Sequence, residues 1–509
     1  MQLALLYLSF SLSLYAEADE PHKDFEKILD HMKEKTVMKK DLRQFLQQAR
    51  EAGPNYYVEA KKPLEIDLEV NVIQQKLAKL GRNPVIYCSQ MRGSKLPYVT
   101  NLFGSRELLA LAMDITPAKL KEIGKAEILQ EFRRRVAKPL PVYWVPPSDA
   151  PVKEVVMKGD EIDLGIFPIP KHYEQDSGKY ITVGGCISKD VDKGIPNVGV
   201  YRHEVKAKNK LGCFIAPTNH GAYIARRYAE LGLPMEVVIS IGHHPAVGMA
   251  TCHTGSQEMN ELEIAGSLLG EPLRVTKAEI ADIPVPADAE ITIEGIIDPK
   301  TMSTDGPFAE FTGYYSLQTN DCYIIDVKCI TMRHDAIYHG LDPHHDEHRL
   351  EGILSLESGL WDIVNRRIPT LKAVYYPPSG HMFHSYVSIA KRVQGEGMLA
   401  GLLAVSADRN GSLTIVVDED VDVFDEKEVL WALATRVSFD KDMAIIPNVV
   451  GGILNPRNYS EEGDEKGSAR GGIMAKAIID ATKPVTKPYA VRITPPKDMW
   501  QSMKLEDYI

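Results

Sequence analysis

The sequence predicts a multidomain protein that combines α+β and α/β architecture. At 509 residues the chain is too long for one hydrophobic core, because single cores stop growing near about 250–300 residues. Helical and β-type segments are mixed before residue 150, β-type segments dominate from Tyr180 to Ile330, and helices alternate with short apolar strands after residue 350. We therefore expect three regions with different secondary structure.

The first region is expected to be an α+β domain over residues 41–150. Apolar positions recur at helical spacing in three runs with β-type runs between them: DLRQFLQQAREAG, NVIQQKLAKLG and SRELLALAMDI. The region ends in the run KPLPVYWVPPSDAP, where proline removes backbone donors and fixes φ. This composition predicts a linker and a domain boundary near residue 150.

Residues 1–40 are interpreted as an extension ahead of the first domain. Met1–Ala16 is apolar and precedes an acidic run, as in a secretion signal, but no basic residue comes before it. It is also short for a membrane span. A translated upstream extension is favoured over a signal segment, and we expect a cytoplasmic protein without stable membrane association.

The second region, residues 151–335, is rich in β-type segments. The runs YITVGGCIS, NVGVYRHEV and MEVVISIG contain many β-branched residues and are separated by Gly, Pro and Asp. Two helical runs, GAYIARRYAELG and NELEIAGSLLG, interrupt them. This combination predicts a sheet or open barrel with packed helices and disfavours a parallel doubly wound fold.

The third region, residues 336–509, is expected to be an α/β domain. Helical runs such as ILSLESGLWDIVNRR and MLAGLLAVSA alternate with short apolar runs such as TLKAVYYPP and LTIVVDEDVDVFD. Strands that alternate with helices are typical of a parallel sheet.

Composition and charge exclude several classes of protein. The hydrophobic fraction of 44% and charged fraction of 25% are close to soluble averages, which argues against disorder, fibres and a membrane bundle. A net charge of −11 without a basic stripe opposes binding to a phosphate backbone. The six cysteines include no CxxC pair and lie in or beside apolar runs, so we expect reduced core residues.

Common catalytic motifs give little support for a nucleotide-binding protein or a hydrolase. The sequence has no GxGxxG after a strand, no GxxxxGK[ST], no GxSxG and no HExxH. The run GLDPHHDEH offers three histidines, His344, His345 and His348, but Pro343 predicts a loop. A solvated or substrate-facing loop is therefore favoured over a zinc or iron site.

The acidic run DGPFAEFTGYY places two carboxylates around a turn beside aromatic residues. Asp305 and Glu310 are five residues apart, with Phe308 and Phe311 able to desolvate them. Carboxylates in such surroundings can have their pKa values pushed apart, as acid/base chemistry requires. Taken alone, this run favours the alternative interpretation, in which both carboxylates lie on a solvent-exposed turn.

Taken together, these segments resemble the UbiD family of prenylated-FMN-dependent decarboxylases from Asp41 to Ile509. The resemblance rests on many blocks in one order: DLRQFL, LPYVTNLFGSRELLALAM, NVGVYR, the PTNH turn, NELEIAGSLLGEP, DGPFAEFTGYY, VDEDVDVFDEKEVLWALATR, AKAIIDATKP and MKLEDYI. It implies a central split β-barrel domain that binds the flavin and a C-terminal α/β dimerisation domain.

The resemblance implies prenylated FMN together with a divalent metal, Mn²⁺ or Mg²⁺. Asn197, His220 and Glu261 would hold the metal, and an amide, an imidazole and a carboxylate suit these ions better than structural zinc. Lys476 would bind the cofactor phosphate as a point charge, with Arg470 as the alternative. The resemblance also implies that six further positions line the flavin: Val200, Tyr201, Arg202, Asn219, Met249 and Ala250. Met249 and Ala250 would also help to hold a potassium ion.

The catalytic residues implied by the resemblance are Arg202, Asp305 and Glu310. Loss of CO₂ from an sp² carbon needs an electron sink that side chains cannot supply, so the cofactor must supply it. Arg202 would grip the substrate carboxylate, Glu310 would deliver the replacing proton, and Asp305 would orient Arg202. Acrylic-acid members of the family carry Glu where this chain has Asp305, so the same hydrogen-bond network need not form with the shorter side chain.

The substrate implied by the runs YYPPSGHMF and DPHHDEH is a small phenolic aromatic acid that loses or gains CO₂. The candidate ring-facing residues are His344, His345, His381 and His384. A flavin prenyltransferase would supply the cofactor, and a homodimer or larger homo-oligomer is expected. The alternatives are a polyprenyl-hydroxybenzoate decarboxylase of quinone biosynthesis and a flavin-binding redox module without decarboxylase activity.

Overall fold

A computed structural model describes residues 39–217, 219–256, 258–452, 454–458 and 473–508. The predictions for Met1–Ala16 and Arg470 lie outside the described residues. Within those ranges, no helix combines the length and the apolar character that a membrane crossing requires.

The first region forms small sheets covered by helices. Helix α1 begins after Asp41, whose side chain accepts a hydrogen bond from the amide of Gln44 at 3.0 Å, and it buries Leu42 and Phe45. All three helices predicted here are confirmed. The elements are α1 (Leu42–Glu51), β1 (Tyr57–Glu59), β2 (Leu64–Glu65), α2 (Glu69–Lys79), β3 (Val85–Cys88), β4 (Met91–Arg92), β5 (Tyr98–Thr100), α3 (Arg106–Ala112), α4 (Pro117–Ile123) and α5 (Ala126–Val136).

The second region is dominated by one curled antiparallel sheet, with both predicted helices present. Glycines in the left-handed region, Gly232 and Gly270, end these two helices. Strand β6 (Tyr143–Trp144) lies before residue 151 but pairs with the strand Arg274–Lys277 of this region. The other elements are β7 (Val155–Lys158), β8 (Tyr180–Ile181), β9 (Gly185–Lys189), β10 (Pro196–Val200), β11 (Arg202–Ala207), β12 (Lys210–Phe214), α6 (His220–Leu231), β13 (Met235–Ile241), α7 (Pro245–Thr251), α8 (Glu261–Leu269), β14 (Arg274–Lys277), β15 (Pro284–Pro286), β16 (Ile291–Asp305), β17 (Phe308–Ala309), β18 (Tyr315–Ser316) and β19 (Thr319–Met332).

The third region alternates helices with strands, as the sequence predicts. Its elements are β20 (Tyr338–His339), α9 (Asp346–Asn365), β21 (Leu371–Tyr375), β22 (His384–Ile389), α10 (Glu396–Ala407), β23 (Leu413–Asp418), α11 (Glu426–Arg436), β24 (Met443–Val450), β25 (Ile473–Ala481) and α12 (Lys497–Ser502).

The sheet of the third region is mixed, whereas a parallel sheet was predicted. Its order is β21-β22-β23-β25-β24, and the parallel pairs are β22–β23 and β23–β25. The edge strands β21 and β24 pair antiparallel to their neighbours. Strand β21 joins β22 through the short segment from 376 to 383, which is too short for the crossover that a parallel pair needs.

The curled sheet of the second region positions the site described below. Its order is β10-β9-β13-β16-β19-β12-β11-β8, and every pair in it is antiparallel. One apolar core lies inside the curl, and another joins α1, α3 and α5 of the first region to α7, α8 and α9. The predicted combination of α+β, curled β and α/β architecture is confirmed.

Candidate active site

A cavity of about 740 Å³ lies between the curled sheet and the helices of the third region. Its walls come from β10, the N-termini of α6 and α8, the segment after α7, the middle of α9 and the residues that follow α10. This volume lies in the range of about 300–1,000 Å³ that ligand and cofactor sites occupy.

Three of the predicted ligand residues meet in this cavity. Asn197 donates a hydrogen bond from Nδ2 to Oε1 of Glu261 at 3.2 Å, and the amide of Val198 donates to Oε2 at 3.0 Å. His220 lines the same cavity at the first turn of α6. Residues separated by up to 64 positions in sequence are thus brought together by β10, α6 and α8.

Glu261 is a buried carboxylate in this group. Burial raises the pKa of Glu261 to about 7, against the hydrogen bonds from Val198 and Asn197, which lower it. No ion pair to Glu261 forms within the described ranges. A divalent cation beside this carboxylate would supply the missing charge, and the donors present, an amide, an imidazole and a carboxylate, fit Mn²⁺ or Mg²⁺.

Two helix N-termini open into the same cavity. His220 is the first residue of α6 and Glu261 is the first residue of α8. Unpaired amides and the helix dipole make such ends suitable for a phosphate group. A phosphate and a divalent cation could therefore share this end of the cavity.

A smaller cavity of about 170 Å³ adjoins the large one. Both are lined by the same five residues, Val200, Tyr201, Asn219, Arg409 and Asn410. The small cavity adds the predicted catalytic residues Arg202 and Glu310, and its other walls are mostly apolar, with Phe214, Phe308, Leu341, Pro343 and Leu454.

Arg202 lies at the centre of a buried charge network. Its Nε and Nη2 donate to the same carboxylate oxygen of Asp305, at 2.9 and 2.6 Å, and its Nη1 donates to Glu310. Phe214 and Phe308 pack on the guanidinium, with ring centroids 4.4 and 5.1 Å away. The shorter Asp305 side chain still reaches Arg202, so the predicted contact between these residues is present.

Glu310 has the surroundings expected of a proton donor. It is buried, and burial raises its pKa, although the positive charge of Arg202 acts in the opposite direction. Phe308 and Phe311, which flank it in sequence, are also buried. A protonated carboxyl group is therefore easier to maintain here than in water.

The turn that carries Asp305 and Glu310 is anchored by neighbouring polar groups. The hydroxyl of Tyr180 donates to Oδ1 of Asp305 at 3.4 Å, and the amide of Ala309 donates to Oδ1 of Asp176 at 2.9 Å. These bonds connect Asp305 to β8 and connect the backbone next to Glu310 to the segment that precedes β8.

Three predicted cofactor residues lie outside the cavity lining. Met249 and Ala250 are fully buried in α7, directly before the lining residues Thr251 and Cys252. Lys476 is buried on β25, where its Nζ donates to backbone carbonyls of Val405 and Asp408 at the end of α10. Asp408 itself lines the large cavity, so the ammonium lies one layer behind the wall.

The histidine-rich segment is a loop only as far as His345. The ring of His345 accepts a hydrogen bond from the amide of Glu347, and α9 begins at Asp346, so His348 is helical. Of the segment's histidines, His348 lines the small cavity. His344 packs against Tyr173, 5.9 Å between ring centroids.

The other two candidate histidines also lie outside the cavity lining. His381 donates from Nδ1 to the carbonyl of Phe311 at 2.7 Å, and His384 lies on β22. The sequence does not single out His348 as a cavity residue, because Pro343 predicts a loop there, although HHDEH is a typical N-terminal sequence for a helix. Arg409 and Asn410 were also missed, since a polar run after a helix gives no specific signal.

Three family descriptions match consecutive parts of the chain. They are the N-terminal domain of 3-octaprenyl-4-hydroxybenzoate carboxy-lyase over residues 52–127, its Rift-related domain over 144–344 and its C-terminal domain over 349–481. Together the three matches span most of the chain. The chain belongs to the UbiD family of decarboxylases and is a carboxy-lyase.

Named relatives cover most of the chain. Anhydromevalonate phosphate decarboxylase of Methanosarcina mazei is 32% identical over 442 residues, which are 87% of this chain and 96% of that protein. The UbiD-class enzyme HmfF of Pelotomaculum thermopropionicum, in complex with FMN, is 33% identical with a TM-score of 0.83 and covers 92% of this chain and 100% of its own.

Two further structures extend the comparison. An evolved dimeric form of HmfF in complex with prenylated FMN is 31% identical, with a TM-score of 0.80 and coverage of 92% and 100%. Vanillic acid decarboxylase of Sedimentibacter hydroxybenzoicus, in its open form, is 28% identical, with a TM-score of 0.80 and coverage of 93% and 99%. The predicted family is confirmed.

Proposed function

We propose that this protein uses prenylated FMN and a divalent metal to remove CO₂, reversibly, from a small phenolic carboxylic acid. The observation that carries the proposal is the buried network of Arg202, Asp305 and Glu310 in a small cavity that shares a wall with a cofactor-sized one. The complexes of HmfF with FMN and prenylated FMN support the choice of cofactor.

The large cavity supports the proposed position of the cofactor phosphate and metal. Asn197, His220 and Glu261 would hold the metal, and the N-termini of α6 and α8 face the phosphate. Arg409 is exposed and lines both cavities, so it joins Lys476 as a candidate for phosphate binding. When bound, the modified flavin supplies the electron sink that decarboxylation needs.

Arg202 is proposed to bind and orient the substrate carboxylate. Asp305 occupies Nε and one proton of Nη2, and the two stacked phenylalanines hold the guanidinium plane. Glu310 accepts from one N–H of Nη1, and the hydroxyl of Ser316 accepts weakly from Nη2 at 3.5 Å. The second N–H of Nη1, and that of Nη2 in exchange for this weak contact, can donate to a carboxylate that enters the small cavity, since guanidinium has five donors. Asp305 therefore positions Arg202 and does not contact the reacting atoms.

Glu310 is proposed to hold and then donate the proton that replaces CO₂. A substrate carboxylate beside Arg202 would add a third negative charge to Asp305 and Glu310 in a buried site. Like charges at short range favour protonation of one of them, and the pKa of Glu310 is already raised by burial. Binding of the substrate thus favours the form of Glu310 that can donate.

The small cavity favours a single ring over a prenylated one. Its volume of about 170 Å³ and its walls of Phe214, Phe308 and Leu341 suit a small aromatic acid. His348 donates from Nδ1 to the carbonyl of Pro343 at 2.9 Å, and in the tautomer that carries its proton on Nδ1 the other ring nitrogen, Nε2, can accept from a phenolic hydroxyl. The name of the vanillic acid decarboxylase supports a phenolic substrate.

A second candidate substrate is a non-aromatic acid that carries a phosphate group. The relative named anhydromevalonate phosphate decarboxylase supports it, as does Arg409, a cation at the border of the small cavity. A phosphate would need such a positive partner, whereas a phenol would not.

Relative rates of CO₂ release separate the two substrate classes. Protein produced together with a flavin prenyltransferase should be assayed with vanillate, 3,4-dihydroxybenzoate, 4-hydroxybenzoate, cinnamate and anhydromevalonate phosphate under one set of conditions. We expect the hydroxybenzoates to react at least about 10-fold faster than cinnamate, since one good hydrogen bond to a phenol is worth about 1.4 kcal/mol. Faster turnover of anhydromevalonate phosphate would replace the phenolic proposal by the second candidate.

Replacing His220 by alanine should remove metal and flavin together. His220 is half-buried at the start of α6, so the variant should fold, but one of three ligands is lost. We expect the variant to contain less than about a tenth of the wild-type amount of metal and of flavin. Loss of a residue that only hydrogen-bonds to a metal ligand already lowers metal affinity or activity about 10–100-fold, and loss of a ligand itself should have a larger effect. Metal analysis and flavin absorbance of the purified protein measure this. The control variant is His334→Ala, because His334 is an exposed histidine outside the cavity. Full metal and flavin content in His220→Ala would refute the assignment of His220 as a metal ligand.

A further inference from the structure

Two cysteines and a histidine meet inside the curled sheet, apart from both cavities. Cys186 lies on β9, His203 on β11 and Cys213 on β12, and His203 and Cys213 are direct cross-strand partners. The two sulfur atoms and a ring nitrogen all lie within 4.8 Å of one another. Strands distant in sequence thus converge on one point with three metal-binding groups.

The histidine of this trio makes no hydrogen bond of standard geometry within the described residues, although both thiols lie beside its ring. His203 is fully buried, and neither of its ring nitrogens has a hydrogen-bond partner among the described residues. Buried polar groups in folded proteins are nearly always paired, because an unpaired one costs about 1–3 kcal/mol. Cys186 and Cys213 are also buried, and all six cysteines are free, so both thiols are available as ligands.

We propose that Cys186, His203 and Cys213 bind a thiophilic d¹⁰ cation, Zn²⁺ or Cu⁺, in the interior of the curled sheet. Metal–sulfur bonds of about 2.3 Å and a metal–nitrogen bond of about 2.0 Å place the three ligand atoms about 4 Å apart. This separation is compatible with the upper limit of 4.8 Å on the distances between these atoms. Thiolate and imidazole ligands favour these soft cations over the hard ions that suit the large cavity. The ion would enter during folding, since the trio is sealed from solvent.

This ion would hold the strands that carry the proposed catalytic residues. Neighbouring residues on a strand face opposite sides, so His203 points away from Arg202. Cys213 likewise precedes Phe214, whose ring packs on the Arg202 guanidinium. Joining β9, β11 and β12 through a metal would therefore fix the strand positions behind Arg202 and would support catalysis without contact to the substrate.

Elemental analysis of the full-length protein tests the site. Protein from separate cultures supplemented with zinc or copper should contain one equivalent of that metal per chain beyond any metal in the large cavity. The double variant C186A/C213A should lose this equivalent. Cys88→Ala, a buried cysteine outside the trio, and Glu261→Ala, which alters the large cavity, should both keep it. These variants distinguish the absence of a metal from the large cavity from the absence of a metal at the cysteine–histidine trio.

X-ray absorption of the wild-type protein decides the question even if the double variant does not fold. At the zinc or copper edge we expect two sulfur neighbours and one nitrogen neighbour, and the edge itself identifies the cation. Three results would overturn the proposal: wild-type protein from both cultures without zinc or copper, a metal with only oxygen and nitrogen neighbours, or a Cys186–Cys213 disulfide detected by mass spectrometry.

Discussion

The Glu310→Gln variant is expected to lose turnover by about 10²–10⁴-fold, the usual range for loss of a general acid. Glutamine keeps the size of the side chain and a hydrogen bond to Arg202, but it has no transferable proton. Flavin and metal content should stay near wild type, because Glu310 lines the small cavity only. The kcat with the best substrate and the rate of deuterium transfer from solvent into the product should fall in parallel.

The role of Glu310 also predicts the direction in which turnover changes with pH. Burial raises the pKa of Glu310, and the donor is its protonated form. The kcat of the wild-type protein should therefore be highest below that pKa and should fall as the pH rises through it. The pH profile of Glu310→Gln should lack this fall. The exposed Glu174 provides the control variant Glu174→Gln. Turnover by Glu310→Gln within a few-fold of wild type would transfer the donor role to another group of the small cavity, such as His348.

Arg202→Lys is the second substitution with a large expected effect. Lysine keeps the positive charge but loses the planar fork that contacts Asp305, Glu310 and the proposed substrate carboxylate. Each lost hydrogen bond to a charged group costs about 1.5–3 kcal/mol, so kcat/KM should fall by about 10- to 150-fold for each bond. Steady-state kinetics on protein with full flavin content measure this loss.

The exposed Arg226 provides the matched control. Its guanidinium donates to the carbonyl of Pro217 at the surface, so Arg226→Lys should leave kcat/KM unchanged. The proposed role of Arg202 fails if Arg202→Lys retains wild-type kcat/KM. A loss of flavin from Arg202→Lys, without a change in kcat per bound flavin, would instead place Arg202 among the residues that hold the cofactor.

Local sequence patterns predicted most of the secondary structure. Apolar spacing located α6 and α8, and β-branched runs located the strands of the curled sheet, because both signals depend on neighbouring residues alone. The antiparallel edges of the third region's sheet were missed, since strand direction depends on the connections and not on the strand sequence. The start of α9 was missed because Pro343 predicts a loop, although the helix begins three residues later at Asp346.

The site could be predicted from sequence only through the family resemblance. Arg202 and Asp305 are 103 positions apart, and only the pairing of the curled sheet brings them within hydrogen-bonding distance. The same limit explains why Cys186 and Cys213 were interpreted as core residues: without a CxxC pattern, nothing local shows that two distant strands place both sulfurs beside His203. The contribution of Arg409 to both cavities is likewise a property of the fold.

The central claim is that the small cavity removes CO₂ from a phenolic acid when the large cavity holds prenylated FMN. Its most direct test follows ¹³C in the carboxyl group of vanillate or 3,4-dihydroxybenzoate by NMR. Protein produced with a flavin prenyltransferase should convert the label to CO₂ and bicarbonate over many turnovers, whereas protein produced without it should not. Equal conversion by both proteins, or no conversion of either acid by the flavin-loaded protein, would contradict this account.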